Sequence, residues 1–170
     1  EDRVKCRQNW IAATKSGYVK SAMLDPHFLA NEMINEINRG NESIEVIDVL
    51  NQQWNGLVNK TRANINLAIK NGNEPMNNVI PMIDLSPSMN GTPKIAAIGL
   101  GIMLSELCDS KFGNKVITFD SECKIVTLNP NSTFSERVRQ ILHLPVGYST
   151  NFSLAMTRVC EIIEDLKLPE

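Results

Sequence analysis

The stretch Val79-Ile80-Pro81-Met82-Ile83-Asp84-Leu85-Ser86-Pro87-Ser88-Met89 decides the fold of the second half of this chain. Its first five residues form an apolar run, which is typical of a strand buried on both faces of a sheet. Asp84, Ser86 and Ser88 then place one carboxylate and two hydroxyls at alternate positions. Open α/β sheets bind ligands beyond the carboxyl ends of their strands, and such oxygen atoms suit Mg²⁺ or Mn²⁺ better than zinc. The stretch therefore predicts a metal site, and a serine-rich turn that only caps the next helix is the alternative.

The elements that follow predict an α/β fold class for residues 78–170. They are a deeply buried helix and two short strands, at residues 95–108, 116–119 and 124–128. A short turn joins the two strands, so we expect them to pair antiparallel. The first strand, the helix and the second strand should form a right-handed parallel unit. A capping box at Thr133 and Glu136 predicts another helix, and a last helix should bury a stripe that begins with Phe152.

Residues 1–72 are predicted to be a helical N-terminal region. Asp25 and Pro26 have the residue types of an N-cap and a first helical turn, and Ser43 opens a further helix. We expect a third helical segment to end near Asn71. Basic and aromatic residues alternate over residues 3–20, and they are typical of either a nucleic-acid-binding face or a solvated helix anchored by its aromatic rings.

Composition excludes several classes of function. The net charge of −2 argues against general affinity for nucleic acid. No apolar run approaches the ~18 residues of a membrane span, so we expect no membrane partner. The four cysteines include no Cys-x-x-Cys pair, which argues against a zinc knuckle and indicates free thiols in a reducing compartment. Cys108 and Cys160 lie on apolar helical patterns and are predicted to be core residues. We expect a cytoplasmic location, or the virion if the protein is viral.

Two motifs resemble those of the von Willebrand factor A domain. Asp84, Ser86 and Ser88 match its Asp-x-Ser-x-Ser motif, and residues 147–152 resemble its second motif, with Thr150 in the metal-binding position. The residues in and after the first motif, 82–89, 91–93, 97–101 and 117–119, resemble those of an intracellular branch of unknown function from plants, amoebae and large DNA viruses. That branch is related to the A domain of the Ro-type RNA-binding (TROVE) proteins. The resemblance implies a Rossmann-like open sheet, of which the first three strands are present after a helical segment.

The resemblance also implies a metal-ion-dependent adhesion site. In that family the two serines and the threonine bind the ion directly, the first aspartate acts mainly through water, and a partner's carboxylate completes the coordination. Three neutral hydroxyls leave most of a divalent charge uncompensated, so the ion should attract an external anion. We therefore expect a protein-binding module rather than an enzyme. The neighbouring loop residues should contact the partner: Met89, Asn90, Tyr148 and Ser149.

One part of the family pattern is missing. The family has a third motif, an aspartate after a fourth strand, and the fourth to sixth strands do not occur in residues 78–170. The first strand would then be an exposed apolar edge, which favours association. We expect a fragment of a longer polypeptide, or another chain that covers this edge. Asp120 is a candidate substitute acid, and a turn residue in a tight hairpin is the alternative for it.

Other functions compete with metal-dependent binding. As a catalytic nucleophile, Ser86 lacks the Gly-x-Ser-x-Gly pattern of a hydrolase, and Asp84 has no second acid two residues later. His143 is explained by its position at a helix end. We therefore expect no catalytic residue. A structural component of a large assembly or virus particle with a vestigial metal site is one alternative. A Ro-like RNA-binding protein, acting through residues 1–72, is another.

Overall fold

The computed structural model describes residues 24–76, 79–108, 111–119, 124–145 and 152–165, together with five single residues at positions 5, 6, 8, 9 and 12. These ranges contain five α-helices and a three-stranded mixed sheet, so the predicted α/β class is confirmed. The elements are α1 (Pro26–Asn38), α2 (Ile44–Lys70), β1 (Met82–Asp84), a 3₁₀ turn (Pro87–Met89), α3 (Thr92–Leu107), β2 (Lys115–Phe119), β3 (Lys124–Thr127), α4 (Phe134–Leu142) and α5 (Phe152–Asp165).

The strands lie in the order β1-β2-β3. β1 pairs with β2 in parallel, with Asp84 opposite Phe119, and β2 pairs with β3 antiparallel. Both predicted pairings are confirmed. β1 is shorter than the apolar run, because Pro81 has no N–H to donate to a sheet. Its carbonyl oxygen still accepts a hydrogen bond from the Ile117 N–H at 2.8 Å.

Two glycines of α3 allow this helix to pack closely against β1 and against α1. A Cβ atom at Gly101 would lie 2.6 Å from Cγ1 of Ile83 in β1, so this glycine permits close packing on the sheet. A Cβ atom at Gly99 would lie 2.6 Å from the carbonyl oxygen of Pro26, at the start of α1. Gly101 therefore lets α3 approach the sheet closely, whereas Gly99 allows close contact with the first helix.

The N-terminal helices and the α/β elements share one hydrophobic core. Buried residues of α1 and α2 pack in the same cluster as those of β1, α3 and α4. Trp54 of α2 is fully buried and stacks on Phe134 of α4, with ring centroids 3.8 Å apart. Helix α2 runs unbroken for 27 residues where two segments were predicted. Gly56 costs a helix only about 1 kcal/mol, which burial of Trp54 and Leu57 offsets.

Local sequence patterns predicted the start of α4 correctly, but they did not predict which residues of α5 are buried. The capping box is confirmed: the Thr133 hydroxyl accepts from the Glu136 N–H, and the Glu136 carboxylate accepts from the Thr133 N–H. The carboxylate also accepts from the Thr133 hydroxyl at 3.0 Å. The bond from the Thr133 N–H, and after it the one from the hydroxyl, lower the pKa of Glu136. In α5, Phe152 is 63% exposed and Cys160 is also exposed, so the predictions that placed them in the core are wrong.

The other face of the sheet carries a smaller cluster. Cys108 is buried there, as predicted, with Phe112 and Ile117. Leu154 and Val159 of α5 pack against this cluster and bury a face of the helix that excludes Phe152. None of the described helices is long and apolar enough to cross a membrane.

Candidate metal centre

Asp84 is the last residue of β1, at the edge where the chain leaves the sheet. Its Oδ1 atom accepts a hydrogen bond from the Ser86 N–H at 2.8 Å. Aspartate commonly closes a turn in this way, by bonding to the backbone two residues later. The carboxylate therefore fixes the path of the loop and remains half-buried beside it.

The two serine hydroxyls of this loop meet. Ser86 Oγ and Ser88 Oγ are 2.8 Å apart. The 3₁₀ turn at Pro87–Met89 brings them together, and the Met89 N–H donates to the Ser86 carbonyl at 3.0 Å. Ser86 is 5% exposed, whereas Ser88 is open to solvent. The pair thus extends from the protein interior to the surface, where a ligand could reach it.

The oxygen atoms of this loop fit a small divalent cation. Adjacent ligands of an octahedral Mg²⁺, each about 2.0–2.1 Å from the ion, lie about 2.9 Å apart. The distance between the two hydroxyl oxygens matches that spacing, and it also matches an ordinary O–H···O hydrogen bond. The part of the chain that the structure describes has no group of three or more His, Cys, Asp or Glu side chains that could hold a metal. A cation in this loop would therefore depend on hydroxyls and the single carboxylate of Asp84.

The loop ends where α3 begins. Gly91 has a φ of 90°, a conformation that glycine adopts without strain. This residue turns the chain from the 3₁₀ turn into the helix. Met89 is half-buried and Asn90 is exposed. Of the four predicted partner contacts, these two therefore lie beside the serine pair, and Asn90 is the more accessible.

The remaining predicted site residues lie outside the described residues. They are Asp120, Tyr148, Ser149 and Thr150. Phe119, which precedes Asp120, pairs with Asp84, and α5 begins at Phe152, the last residue of the second motif. The structure thus brings together Asp84, Ser86 and Ser88, and the contribution of Thr150 stays a prediction.

Comparison with known proteins matches residues 78–169 to the model of a family described as a domain of unknown function, DUF7788. The chain belongs to this family. It is also similar to an uncharacterized protein, L728, of Acanthamoeba polyphaga mimivirus, with 34% identity over 104 residues. That similarity covers 59% of this chain and 18% of the viral protein. No solved structure matches the chain significantly.

A second polar site was missed by the sequence analysis. It is a cleft of about 400 Å³, which we call the arginine cleft. Its lining comprises Arg62 of α2, Glu106 of α3, Arg137 of α4, and Cys108, Gly113, Asn114 and Pro130 outside the helices. All of them except Arg62 fall within the family match. They lie after the loop of residues 84–89, which we call the metal loop, whereas Arg62 lies before it. These residues are far apart in the sequence and belong to no motif, so no local signal could have revealed them.

Glu106 is the acidic group of the arginine cleft. Its Oε1 accepts from the Trp54 Nε1–H at 3.0 Å and lies 3.4 Å from Arg137 Nη1. Burial raises the pKa of Glu106, and Arg137 and the Trp54 hydrogen bond only partly oppose this rise. A carboxylate buried beside a guanidinium is usually a structural ion pair, but here the pair also lines an open cleft.

Proposed function

We propose that residues 78–170 form a metal-dependent protein-binding module of the von Willebrand factor A type. In this proposal Mg²⁺ or Mn²⁺ is held by Ser86, Ser88 and Thr150, and Asp84 assists through water. The observation that carries the proposal is the 2.8 Å approach of the two serine hydroxyls beyond the end of β1.

The position of the loop in the sheet supports the proposal. β1 lies parallel to β2 and antiparallel β3 follows, which is the arrangement that the resemblance implies for the first three strands. The serine pair comes directly after β1, at the carboxyl end where open α/β sheets bind ligands. A Rossmann-like sheet of this type would therefore present the cation at its rim.

The charge of the ligand set indicates what the cation does. Hydroxyl oxygens are neutral, so one carboxylate leaves about one unit of the divalent charge uncompensated. A carboxylate from a protein partner would balance it and complete the coordination. Asn90 is exposed beside Ser88 and would contact that partner. Such a site recognises a partner and needs no catalytic residue.

Metal titration tests the proposal. Binding of Mn²⁺ should be measured by electron paramagnetic resonance for the native chain and for Ser86→Ala, Ser88→Ala and Thr150→Ala. We expect each substitution to weaken binding at least about tenfold, because loss of one ligand costs on the order of 1.4 kcal/mol. Thr157→Ala, which removes an exposed hydroxyl from α5, is the control and should bind as the native chain does.

Two results would contradict the proposal. The first is Mn²⁺ affinity that is unchanged in Ser86→Ala and Ser88→Ala. The second result concerns binding of a partner. We expect a short glutamate-containing peptide to bind in the presence of Mg²⁺ and to be released by EDTA. Binding to the peptide that persists in EDTA would show that the cation does not recognise the carboxylate.

A further inference from the structure

The residues that follow the metal loop form one of three Asn-Gly pairs in this chain. The pairs are Asn55-Gly56, Asn71-Gly72 and Asn90-Gly91. In such a pair the backbone nitrogen of glycine can attack the side-chain amide of asparagine, because glycine has no Cβ to hinder the approach. All three asparagines are exposed, so exposure does not distinguish them. The hydrogen bonds of the backbone decide which pair reacts.

Hydrogen bonds hold the glycine nitrogen in the first two pairs. Gly56 lies in the middle of α2, where its N–H belongs to the helical hydrogen-bond pattern. The Gly72 N–H donates to the Ile69 carbonyl at 3.0 Å, in the turn that ends the same helix. Attack on the asparagine side chain requires the peptide unit between the two residues to rotate. In both pairs that rotation breaks a backbone hydrogen bond, which slows the reaction.

The peptide unit between Asn90 and Gly91 has no such restraint. Neither the Gly91 N–H nor the Asn90 carbonyl oxygen forms a hydrogen bond with any residue that the structure describes. The nearest backbone bonds lie outside this unit, where the Asn90 N–H donates to the Pro87 carbonyl at 3.2 Å. A Cβ atom at Gly91 would meet no atom within 4 Å. The Gly91 nitrogen therefore has space to turn toward the Asn90 side chain without loss of a hydrogen bond.

We propose that Asn90 is a site of spontaneous deamidation, which changes the charge beside the metal loop. The Gly91 nitrogen attacks Cγ of Asn90, the bond from Cγ to Nδ2 breaks, and ammonia leaves with the proton of the Gly91 N–H. The product is a cyclic succinimide. Water then opens the ring: addition at Cγ gives aspartate, and addition at the backbone carbonyl gives isoaspartate. Both products carry a carboxylate in place of the neutral amide, and nothing is oxidised or reduced.

The new carboxylate changes the charge that a partner would meet, and this consequence rests on the metal site proposed above. A divalent cation with the single carboxylate of Asp84 leaves about one positive charge uncompensated. A carboxylate at position 90 neutralises that charge, because this residue directly follows the 3₁₀ turn that carries Ser88. Deamidation therefore strengthens cation binding and weakens binding of the partner's carboxylate. The metal loop thereby acquires a slow, irreversible switch.

Peptide mapping by mass spectrometry tests the reaction. The native chain should be incubated at neutral pH and digested at mildly acidic pH, where deamidation is slow. We expect Asn90 to deamidate about tenfold faster than Asn71, as one backbone hydrogen bond implies, and Asn55 to be the slowest. In concentrated urea the three pairs should react at similar rates, because the backbone hydrogen bonds are lost. Asn90→Gln should remove the fast reaction and leave the other two pairs unchanged.

Electron paramagnetic resonance of Mn²⁺ and binding of the glutamate-containing peptide test the consequence. Asn90→Asp supplies the aspartate product directly. It should bind Mn²⁺ about threefold more tightly than the native chain does, and the peptide at least about threefold more weakly, because one unit of charge is added near the cation. Asn131→Asp adds the same charge to an exposed turn and is the control. Arg137 joins that turn to Asn114 before β2, whereas Asp84 pairs with the last residue of β2, so this variant should bind both as the native chain does.

The outcomes separate this inference from the metal site. Deamidation at Asn90 that is no faster than at Asn71 in the folded chain would overturn the inference, whatever the affinity for Mn²⁺. If the native chain binds Mn²⁺ but Asn90→Asp binds both Mn²⁺ and the peptide equally well, the switch is also overturned. Fast deamidation at Asn90 in a chain that binds no Mn²⁺ would confirm the reaction and contradict the metal site. Circular dichroism of each variant establishes that it is folded.

Discussion

The contact between α1 and α3 at Gly99 supports a quantitative prediction. A Cβ atom at this position would lie 2.6 Å from the Pro26 carbonyl oxygen, 2.9 Å from its carbonyl carbon and 3.2 Å from the Ala30 Cβ. Ordinary contact begins near 3.4 Å. Since two of these atoms belong to the backbone and cannot rotate away, α1 would have to retreat by roughly 0.8 Å in Gly99→Ala.

Two opposing terms set the size of the effect. Overpacking against a rigid neighbour costs about 2–3 kcal/mol, and alanine gains about 1 kcal/mol over glycine within a helix. We therefore expect Gly99→Ala to lower the free energy of unfolding by about 1–2 kcal/mol. For a chain of this size the melting temperature should fall by roughly 2–8 °C.

Urea unfolding followed by circular dichroism measures this change. Ala63→Gly, on the exposed side of α2, is the control and isolates the helix-propensity difference of about 1 kcal/mol. Gly101→Ala is a useful comparison, because its added methyl meets only the side chain of Ile83, and Ile83→Val should relieve part of its cost. A Gly99→Ala variant as stable as the native chain would refute the close seating of α1 on α3.

Two further predictions concern the buried carboxylate. Trp54→Phe keeps an aromatic ring against Phe134 but removes the donor to Glu106, and urea unfolding should show a loss of about 2 kcal/mol; an unchanged midpoint would contradict the hydrogen bond. Glu106→Gln should alter the pH dependence of stability. Burial raises the pKa of Glu106 above 4.5 in the folded state. The free energy of unfolding of the native chain, relative to that of this variant, should therefore be highest below about pH 4.5. That advantage should decline as the pH rises through the folded-state pKa. Parallel stability curves of the two proteins from pH 4 to pH 8 would show that this carboxyl is not perturbed.

The metal loop was the part of the site that sequence reasoning predicted best. Asp84, Ser86 and Ser88 are close in the chain, so a single turn is sufficient to bring the two hydroxyls together. The position of Thr150 could not be derived in the same way, because it depends on how a loop more than sixty residues later meets the sheet. The arginine cleft was not predicted at all, since Arg62 and Arg137 are brought together by the packing of two helices.

The exposed apolar residues of α5 show a second limit of prediction from the sequence. The apolar residues of this helix are spaced so that more than one face could be buried. Leu154 and Val159 contact the cluster around Phe112, whereas Phe152 and Met156 are exposed. Periodicity indicates that a helix is amphipathic, but only the position of its neighbour decides which apolar residues it buries.

By itself the sequence determined the features that arise from neighbouring residues. These include the capping box at Thr133, the antiparallel pairing of β2 with β3, and the polar loop that follows β1. Each depends on hydrogen bonds or steric limits within a few positions, so the local residue types are sufficient to specify it.

The tertiary structure alone decided the long-range arrangement. Trp54 contacts Glu106 across 52 positions, and the Ser135 N–H donates to Asn51 across 84 positions. These contacts seat the N-terminal helices in the core of the α/β elements and form the arginine cleft. Their physical cause is the burial of apolar surface shared by distant segments, and a pattern within one segment does not contain the identity of its partner.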